Sequence, residues 1–156
     1  MAENNFAARN LNFMNEAAGQ PRPRKLRIVL LDDEWHMLLL LEMYLKEWFD
    51  GVELLRFQHG DRAWAELAQA EADLLITDWR HPGLDGGELV KKLAEKKSPM
   101  PVLMLSASDS DCIREISGLG VEVAFLQKPF GVRDFWKIIN ELIGPCDKPP
   151  RLPGFV

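Results

Sequence analysis

From Leu26 onward, short apolar runs alternate with longer segments in which apolar residues recur every three or four positions. Short runs are typical of buried strands, and the longer period is typical of amphipathic helices. Because the two patterns alternate, they predict βαβ units and a parallel sheet. Five strands are predicted, at Leu26–Leu31, Val52–Phe57, Asp73–Thr77, Pro101–Leu105 and Val121–Leu126.

Five helices are predicted between and after these strands. The first, Glu34–Phe49, has an apolar face at spacings of three and four, and its other faces are also apolar, so we expect it to be well covered. The strand runs IVLL and VLML lack polar alternation, which indicates a sheet covered on both faces. The predicted fold is therefore α/β, with a doubly wound five-stranded parallel sheet. The remaining helices are predicted at Arg62–Ala70, Gly87–Lys96, Asp111–Gly118 and Val132–Ile143.

The two ends of the chain differ from residues 25–144, which form the predicted domain. Residues 1–24 are rich in Asn, Ala and Gln and end in GQPRPRK, so we expect a flexible N-terminal arm with room for one helical turn near Phe6 to Phe13. Residues 145–156, PCDKPPRLPGFV, cannot continue the last helix because they contain four prolines. A disordered Pro-rich C-terminal tail is the simplest interpretation, and a peptide ligand or a strap packed on the domain is the alternative.

The length and net charge of the chain exclude several classes of protein. A chain of 156 residues fits one compact domain and leaves no room for a separate output domain. With 24 acidic and 19 basic residues the formal net charge is −5, and no basic stripe is present to bind nucleic acid. The longest apolar run, Trp35 to Leu45, is too short to cross a membrane, and the N-terminus lacks the pattern of a secretory signal. We therefore expect a cytoplasmic protein, in which Cys112 and Cys146 are free thiols.

Chemically active side chains follow four of the five predicted strands. Asp32-Asp33-Glu34 follows the first strand, Asp78 the third, Ser106 the fourth and Lys128-Pro129 the fifth. Because the functional crevice of an open parallel sheet lies beyond the carboxyl ends of its strands, these groups should converge. An acidic cluster of this kind suits a hard cation such as Mg²⁺, and a lysine beside it could hold a phosphoryl oxygen.

Each of these residues also has a purely structural interpretation. Asp32 or Asp33 could cap the first helix, and Asp78 could open the turn before HPGLDGG. Ser106 begins SASDSD, which is also a good helix start, and Lys128 could be a solvated surface lysine. The occurrence of all these groups in one order, each at a strand end, favours a shared site.

The segments IVLLDDE, LLITDWRHPGLDG, VLMLSAS and FLQKPF resemble the receiver domain of bacterial two-component response regulators. The resemblance covers residues 25–144. It implies a flavodoxin-like fold with strand order 2-1-3-4-5, as in the chemotaxis regulator. It also implies that Asp78 is the phospho-accepting aspartate, and that Asp32 and Asp33 are the acidic pair that holds Mg²⁺.

The same resemblance assigns the remaining groups. Ser106 corresponds to the switch hydroxyl, Phe125 to the switch aromatic residue and Lys128 to the invariant lysine of the family. The Lys128-Pro129 peptide is usually cis in this family, whereas X-Pro bonds in folded proteins are cis in only about 5–6% of cases.

The mechanism that the resemblance implies is phosphoryl transfer from a phosphohistidine to Asp78. The donor would be a sensor histidine kinase or a histidine phosphotransfer protein. Mg²⁺, or Mn²⁺, would be bound by Asp33, Asp78 and the backbone carbonyl of Arg80, with Asp32 acting through water. Lys128 would pair with the phosphoryl group.

The implied output is a change of surface shape. Ser106 would move towards the phosphoryl group, and Phe125 would turn into the vacated space. The face built from the fourth helix, the fifth strand and the fifth helix would then bind a downstream protein. We expect a monomer or weak homodimer that is not an enzyme in the usual sense, because it would catalyse only its own phosphorylation and dephosphorylation.

Two positions depart from the family pattern. Receivers usually have methionine or leucine three residues after the phospho-acceptor, where this chain has His81, and Arg80 is unusually large for its position. We interpret His81 as a surface or turn residue rather than a base, and Trp79 as a packing residue. Arg80 is expected to modulate the phosphorylated state by excluding water.

Three other functions compete with a phosphorylated receiver. A pseudo-receiver that binds its partner constitutively is kept open by Arg80 and His81. A Mg²⁺-dependent phosphohydrolase of the haloacid dehalogenase type is disfavoured, because it would need an aspartate where this chain has Arg80. Flavin or dinucleotide binding has no support, because no glycine-rich loop follows the first strand.

Overall fold

The computed structural model describes residues 25–107 and 110–148. The predicted N-terminal arm, residues 149–156 of the predicted tail and the side chain of Cys112 lie outside this part of the chain.

Within residues 25–107 and 110–148, five strands form one sheet in the order β2-β1-β3-β4-β5, and every neighbouring pair is parallel. The predicted flavodoxin-like fold is confirmed. Asp78 belongs to the end of its strand rather than following it, and the fifth strand begins two residues later than predicted. The strands are β1 Arg27–Leu31, β2 Glu53–Phe57, β3 Leu74–Asp78, β4 Val102–Ser106 and β5 Val123–Gln127.

In the described part of the chain, five helices connect and follow the strands. The helix after β3 begins with a capping box, in which Glu88 N donates to Asp85 Oδ1 at 2.9 Å and Asp85 N donates to Glu88 Oε2 at 2.8 Å. Within the described residues, no helix is long and apolar enough to cross a membrane. The helices are α1 Trp35–Trp48, α2 Gly60–Gln69, α3 Gly86–Glu95, α4 Ser110–Ile116 and α5 Val132–Ile143.

Alternate residues of the central strands enter two separate cores. Ile28 and Leu30 point into a core shared with α1 and α5, whereas Val29 and Leu31 point into a core shared with α2, α3 and α4. All four side chains are at most 1% exposed. The absence of polar alternation in these strands is thus explained by helices on both faces.

The expectation that α1 is covered on all its faces is wrong. Its core face is buried, but Trp35, Leu39 and Met43 are 46%, 41% and 56% exposed. The reason is topological: the sheet and α5 pack against α1 on two sides, and solvent lies beyond its outer side.

Residues 145–148 of the predicted tail cross the C-terminal end of α1, and we call them the C-terminal strap. Lys148 N donates to Trp48 O at 3.2 Å, and Asp50 N donates to Asp147 Oδ2 at 2.9 Å. The Lys148 ammonium also pairs with Asp50 Oδ1 at 2.6 Å. This first part of the tail is therefore packed on the domain.

Cys146 of the strap is a free thiol, as predicted. Its backbone N–H donates to Asn140 Oδ1 at 2.7 Å. Burial, followed by the charge of Asp147, raises the pKa of the Cys146 thiol to about 11. The side chain therefore remains a neutral thiol near pH 7.

Candidate functional site

The carboxyl edge of the sheet, where the strands end, brings together side chains that are far apart in the sequence. One carboxylate oxygen from each of Asp32, Asp33 and Asp78 lies within 4.8 Å of the others. Lys128 reaches the same place from the end of β5, with Nζ 2.9 Å from Asp32 Oδ2 and 3.6 Å from Asp78 Oδ1. The order of parallel strands produces this convergence, because β1 lies beside β3 in the middle of the sheet.

Asp32 is fully buried, and both of its carboxylate oxygens have partners. Oδ1 accepts a hydrogen bond from Glu34 N at 2.8 Å, and Oδ2 accepts one from Lys128 Nζ. The capping interpretation holds only in part, because the N-cap residue of α1 is Glu34 and makes no side-chain cap bond. The buried Asp32 carboxylate chiefly anchors the lysine.

Asp33 is exposed, in contrast to Asp32. Its backbone carbonyl accepts a hydrogen bond from Gln58 Nε2 at 2.9 Å, which ties the β1–α1 connection to the residue after β2. The Asp33 carboxylate thus lies at the solvent side of the cluster, where an ion and its water ligands can approach. Gln58 was not anticipated from the sequence.

Asp78 and Lys128 titrate under opposing influences. Burial raises the pKa of Asp78; the charge of Lys128 acts against this, and the charge of Asp32 adds to it. For Lys128, desolvation lowers the pKa, but the hydrogen bond and charge of Asp32, with the charge of Asp78, raise it above the ordinary value overall. The lysine is therefore held charged beside a carboxylate that is costly to ionise.

Lys128 is not a solvated surface lysine, since its side chain is only 18% exposed. Its backbone N–H donates to Ser106 O at 2.8 Å, and the Lys128–Pro129 peptide is cis, as the family resemblance implied. The ends of β4 and β5 are thereby joined at the site.

The two residues predicted to switch conformation lie on adjacent strands. Ser106 is the last residue of β4 and is 4% exposed. Phe125 is half-buried on β5, opposite Met104 of β4, and packs against the core beneath α2, α3 and α4. Phe125 thus lies below the carboxyl edge, whereas Ser106 lies at it.

Arg80 is exposed, whereas His81 makes a contact that the sequence did not reveal. Thr77 is fully buried, and its Oγ1 donates to Asp78 O at 2.9 Å and lies 3.1 Å from His81 Nε2. The interpretation of His81 as a turn residue agrees with this bond, and Trp79 packs against the core as expected.

The chemistry of the donor set fits a divalent cation. Three carboxylates face one ammonium, which leaves an excess of negative charge in a partly buried place. Carboxylate oxygens are the ligands that Mg²⁺ prefers, and Mg²⁺ usually retains several waters, which an exposed Asp33 permits. The Asp33 and Asp78 carboxylates are more accessible to an ion than that of Asp32, because Asp32 is fully buried and both of its oxygens already accept hydrogen bonds.

Comparison with known protein sequences points to one family. A family model for the response regulator receiver domain matches residues 28–140. Response regulator GtcR of Aneurinibacillus migulanus is 35% identical over 104 residues, which is 66% of this chain and 41% of that protein. The alkaline phosphatase synthesis transcriptional regulatory protein PhoP of Bacillus subtilis is 31% identical over 111 residues, or 69% and 44% of the two chains. The matched segment thus spans less than half of these relatives.

Solved structures agree on the fold. The receiver domain of the Francisella response regulator 1452 has a TM-score of 0.66 and 26% identity, covering 76% of this chain and 97% of that one. Chemotaxis protein CheY4 of Vibrio cholerae has a TM-score of 0.66 and 24% identity, covering 76% and 98%.

Proposed function

The chain belongs to the response regulator receiver domain family, and on that premise we propose that it accepts a phosphoryl group from a phosphohistidine donor onto Asp78. The observation that carries the proposal is the cluster at the carboxyl edge. Asp78 lies there between two further carboxylates and a lysine whose Nζ is 3.6 Å from Asp78 Oδ1. The donor is a sensor histidine kinase or a histidine phosphotransfer protein.

In the proposed reaction an oxygen of the ionised Asp78 attacks the phosphorus atom of the phosphohistidine. A P–O bond forms, the P–N bond breaks, and its electron pair returns to the imidazole. Asp33, Asp78 and the Arg80 backbone carbonyl would hold Mg²⁺ or Mn²⁺, which would supply positive charge to offset the charge of the transferring group. Lys128 leaves its position near Asp78 Oδ1 to pair with the phosphoryl oxygens, and Asp32 keeps the ammonium in range.

The proposed output is a change in the face formed by α4, β5 and α5. Ser106, at the end of β4, bonds a phosphoryl oxygen, and Phe125 turns towards the space it leaves. This face binds a downstream protein. The half-burial of Phe125 supports the proposal, because such a side chain can be exposed or covered at modest cost.

The wider context is also proposed. The receiver domain occupies residues 25–144. It works in the cytoplasm as a monomer or weak homodimer and does not bind nucleic acid, in keeping with its net charge of −5.

Labelling with acetyl phosphate tests the proposal. We expect intact-mass spectrometry to show one added phosphoryl group only when Mg²⁺ or Mn²⁺ is present, and none in Asp78→Asn. Asp134→Asn, an exposed aspartate on α5, is the matched control and should label normally. Equal labelling of Asp78→Asn would disprove the assignment.

The same labelled sample tests the output. Hydrogen exchange should change more across α4, β5 and α5 than in α2. An unlabelled protein whose exchange is also unchanged by beryllofluoride would instead be a pseudo-receiver, the alternative that Arg80 and His81 keep open.

A further inference from the structure

The connection between β2 and α2 contacts both loops that carry the proposed metal ligands, although it supplies no carboxylate to the cluster. Gln58 Nε2 donates to Asp33 O, in the β1–α1 connection, at 2.9 Å. Two residues later, Gly60 N donates to Pro82 O, in the β3–α3 connection, at 3.0 Å. We call Gln58, His59 and Gly60 the brace, because this short segment holds both loops.

The first residue of α2 lies directly against the backbone of the β3–α3 connection. A Cβ atom added to the buried Gly60 would lie only 1.8 Å from Leu84 O and 2.7 Å from Leu84 C. Because both are backbone atoms, no side-chain rotation could make room, and a larger residue would push the loop away. Glycine is therefore required here for space, and the contact sets the distance between α2 and the loop.

The Asp33 carboxylate depends on the other contact of the brace. Its side chain is exposed, and within residues 25–107 and 110–148 no hydrogen bond or ion pair engages the carboxylate. A side chain without partners of its own is positioned by its backbone. That backbone is held at the Asp33 carbonyl by Gln58 and, one residue earlier, by Asp32 N, which donates to Phe57 O at 3.2 Å.

The brace also lies close in sequence to the second proposed backbone ligand. Pro82 and Leu84, whose carbonyls lie against the brace, follow Arg80 by two and four residues. Gly86 N donates to Trp79 O at 3.0 Å, which closes the loop on itself. A displacement of this loop at the brace would therefore reach the Arg80 carbonyl.

Divalent cations differ in how closely their ligands must be placed. Mg²⁺ requires near-ideal octahedral geometry at about 2.0–2.1 Å, whereas Ca²⁺ accepts about six to eight oxygens at about 2.3–2.6 Å in flexible arrangements. We propose that Gln58 and Gly60 are positioning residues that set the spacing of the two ligand loops and thereby make the site selective for Mg²⁺ over Ca²⁺. The inference rests on the proposed function, because it takes Asp33 and the Arg80 carbonyl as ligands of the ion.

Tryptophan fluorescence of the full chain, titrated with Mg²⁺ and separately with Ca²⁺, tests the inference. Gln58→Met keeps the length of the side chain but removes the donor to Asp33 O. Mg²⁺ should then bind about tenfold more weakly, whereas the Ca²⁺ affinity should change by less than about threefold. The matched control is Gln127→Met, because Gln127 Nε2 donates to Ala107 O at 3.3 Å at the same edge, in a loop without a proposed metal ligand. Both of its affinities should be unchanged.

Gly60→Ala provides a second measurement, since the added Cβ would displace the loop at Leu84 O. It should lower the preference for Mg²⁺ over Ca²⁺ at least as much as Gln58→Met does. Urea denaturation shows whether this variant folds, and if it does not, Gln58→Met alone decides.

An unchanged ratio of the two affinities in Gln58→Met would overturn the inference, whether both ions bind equally more weakly or neither affinity changes. An equal fall of the ratio in Gln127→Met would overturn it too. Acetyl phosphate labelling separates this failure from failure of the proposed function. Normal labelling of Gln58→Met at saturating Mg²⁺ with an unchanged ratio refutes only the role of the brace, whereas an unsubstituted chain that does not bind Mg²⁺ refutes both.

Discussion

Charged side chains cluster at both the amino edge and the carboxyl edge of the sheet, but the two clusters have different roles. At the amino edge, Arg27 begins β1 and is satisfied by the chain itself. Its guanidinium pairs with Glu66, lies 3.6 Å from Glu53 Oε1 and donates to Glu71 O at 3.1 Å, while its backbone N–H donates to Asp73 Oδ2 at 2.7 Å. Every donor named here has a protein acceptor, which is typical of a structural network.

At the carboxyl edge the negative charges are not fully balanced by positive ones. Among the described residues, Lys128 pairs with both Asp32 and Asp78, no cation pairs with Asp33, and burial raises the pKa of Asp78. The comparison shows that a charged cluster does not by itself indicate function. The informative quantity is charge that the chain leaves uncompensated, because it can be balanced by a ligand.

The largest effect is expected at the amino edge. Arg27→Met should lower the free energy of unfolding by about 2 kcal/mol, because it removes the hydrogen bond to Glu71 O and two ion pairs whose carboxylates, 36% and 49% exposed, can be solvated again. Its Mg²⁺ affinity should not change. Urea denaturation and a Mg²⁺ titration measure the two quantities. Lys46→Met, which breaks an exposed pair with Glu42, is the control and should change stability by less than about 1 kcal/mol. A loss of Mg²⁺ affinity in Arg27→Met would contradict the separation of the edges.

The next effect concerns the metal. Asp33→Ala should weaken Mg²⁺ binding at least about tenfold, and more than Asp32→Ala does, because the exposed Asp33 is the proposed direct ligand. Asp32→Ala should instead lower stability more, since it strips Lys128 of its closest partner. Tryptophan fluorescence titrated with Mg²⁺ ranks the affinities. The reverse order would make Asp32 the principal ligand.

Replacement of an aspartate by asparagine should change the free energy of unfolding in opposite directions at the two edges. In EDTA at pH 7, Asp78→Asn should raise the free energy of unfolding by about 1 kcal/mol, because it removes a buried charge beside two others. Asp73→Asn should lower it by about 1 kcal/mol, because a charge-assisted bond to Arg27 N is weakened. Thermal denaturation measures the stability change of each variant. Changes in the same direction would contradict the difference between the two edges.

The pH dependence follows from the raised pKa of Asp78. The native state binds this proton more tightly than the unfolded chain, so stability falls as pH rises from the ordinary value through the raised one. The advantage of Asp78→Asn should therefore be complete above the raised pKa and shrink as the pH falls through it.

The smallest effect concerns Arg80, the exposed cation of the carboxyl edge. Its bulk should exclude the water that hydrolyses the acyl phosphate, and solvent should screen its charge. Arg80→Ala should then speed dephosphorylation severalfold, on the order of 1 kcal/mol in the barrier. Phosphate loss in excess Mg²⁺ after donor removal measures this. A slower rate in Arg80→Ala would favour charge stabilisation instead.

The sequence predicted the carboxyl edge better than the amino edge for a physical reason. Asp32, Asp78 and Lys128 each stand at or just after the end of an apolar run, and a parallel sheet brings the carboxyl ends of its strands to one edge. Arg27 and Glu66 belong to different elements, 39 residues apart, and nothing in their local sequence specifies the pairing. Contacts of this kind depend on how a helix packs against the sheet.

The error in α1 has a similar origin. The apolar residues of α1 predicted a helix correctly, but periodicity does not count the neighbours that a helix will have. The Thr77–His81 bond depends on the path of the turn after β3, which the prolines and glycines there leave open.

The distance in sequence between Lys128 and Asp32 also determines the order in which the residues of the site are synthesised. The two residues are 96 positions apart, so the ribosome delivers all three carboxylates of the carboxyl edge well before their ammonium. At about 5–20 residues per second, the segment from Asp78 to Lys128 takes several seconds to emerge. During that interval the central strands lack both β5 and the charge that balances their ends. Addition of the last strand therefore completes the sheet and neutralises part of its edge in one step, which couples acquisition of the site to completion of the domain.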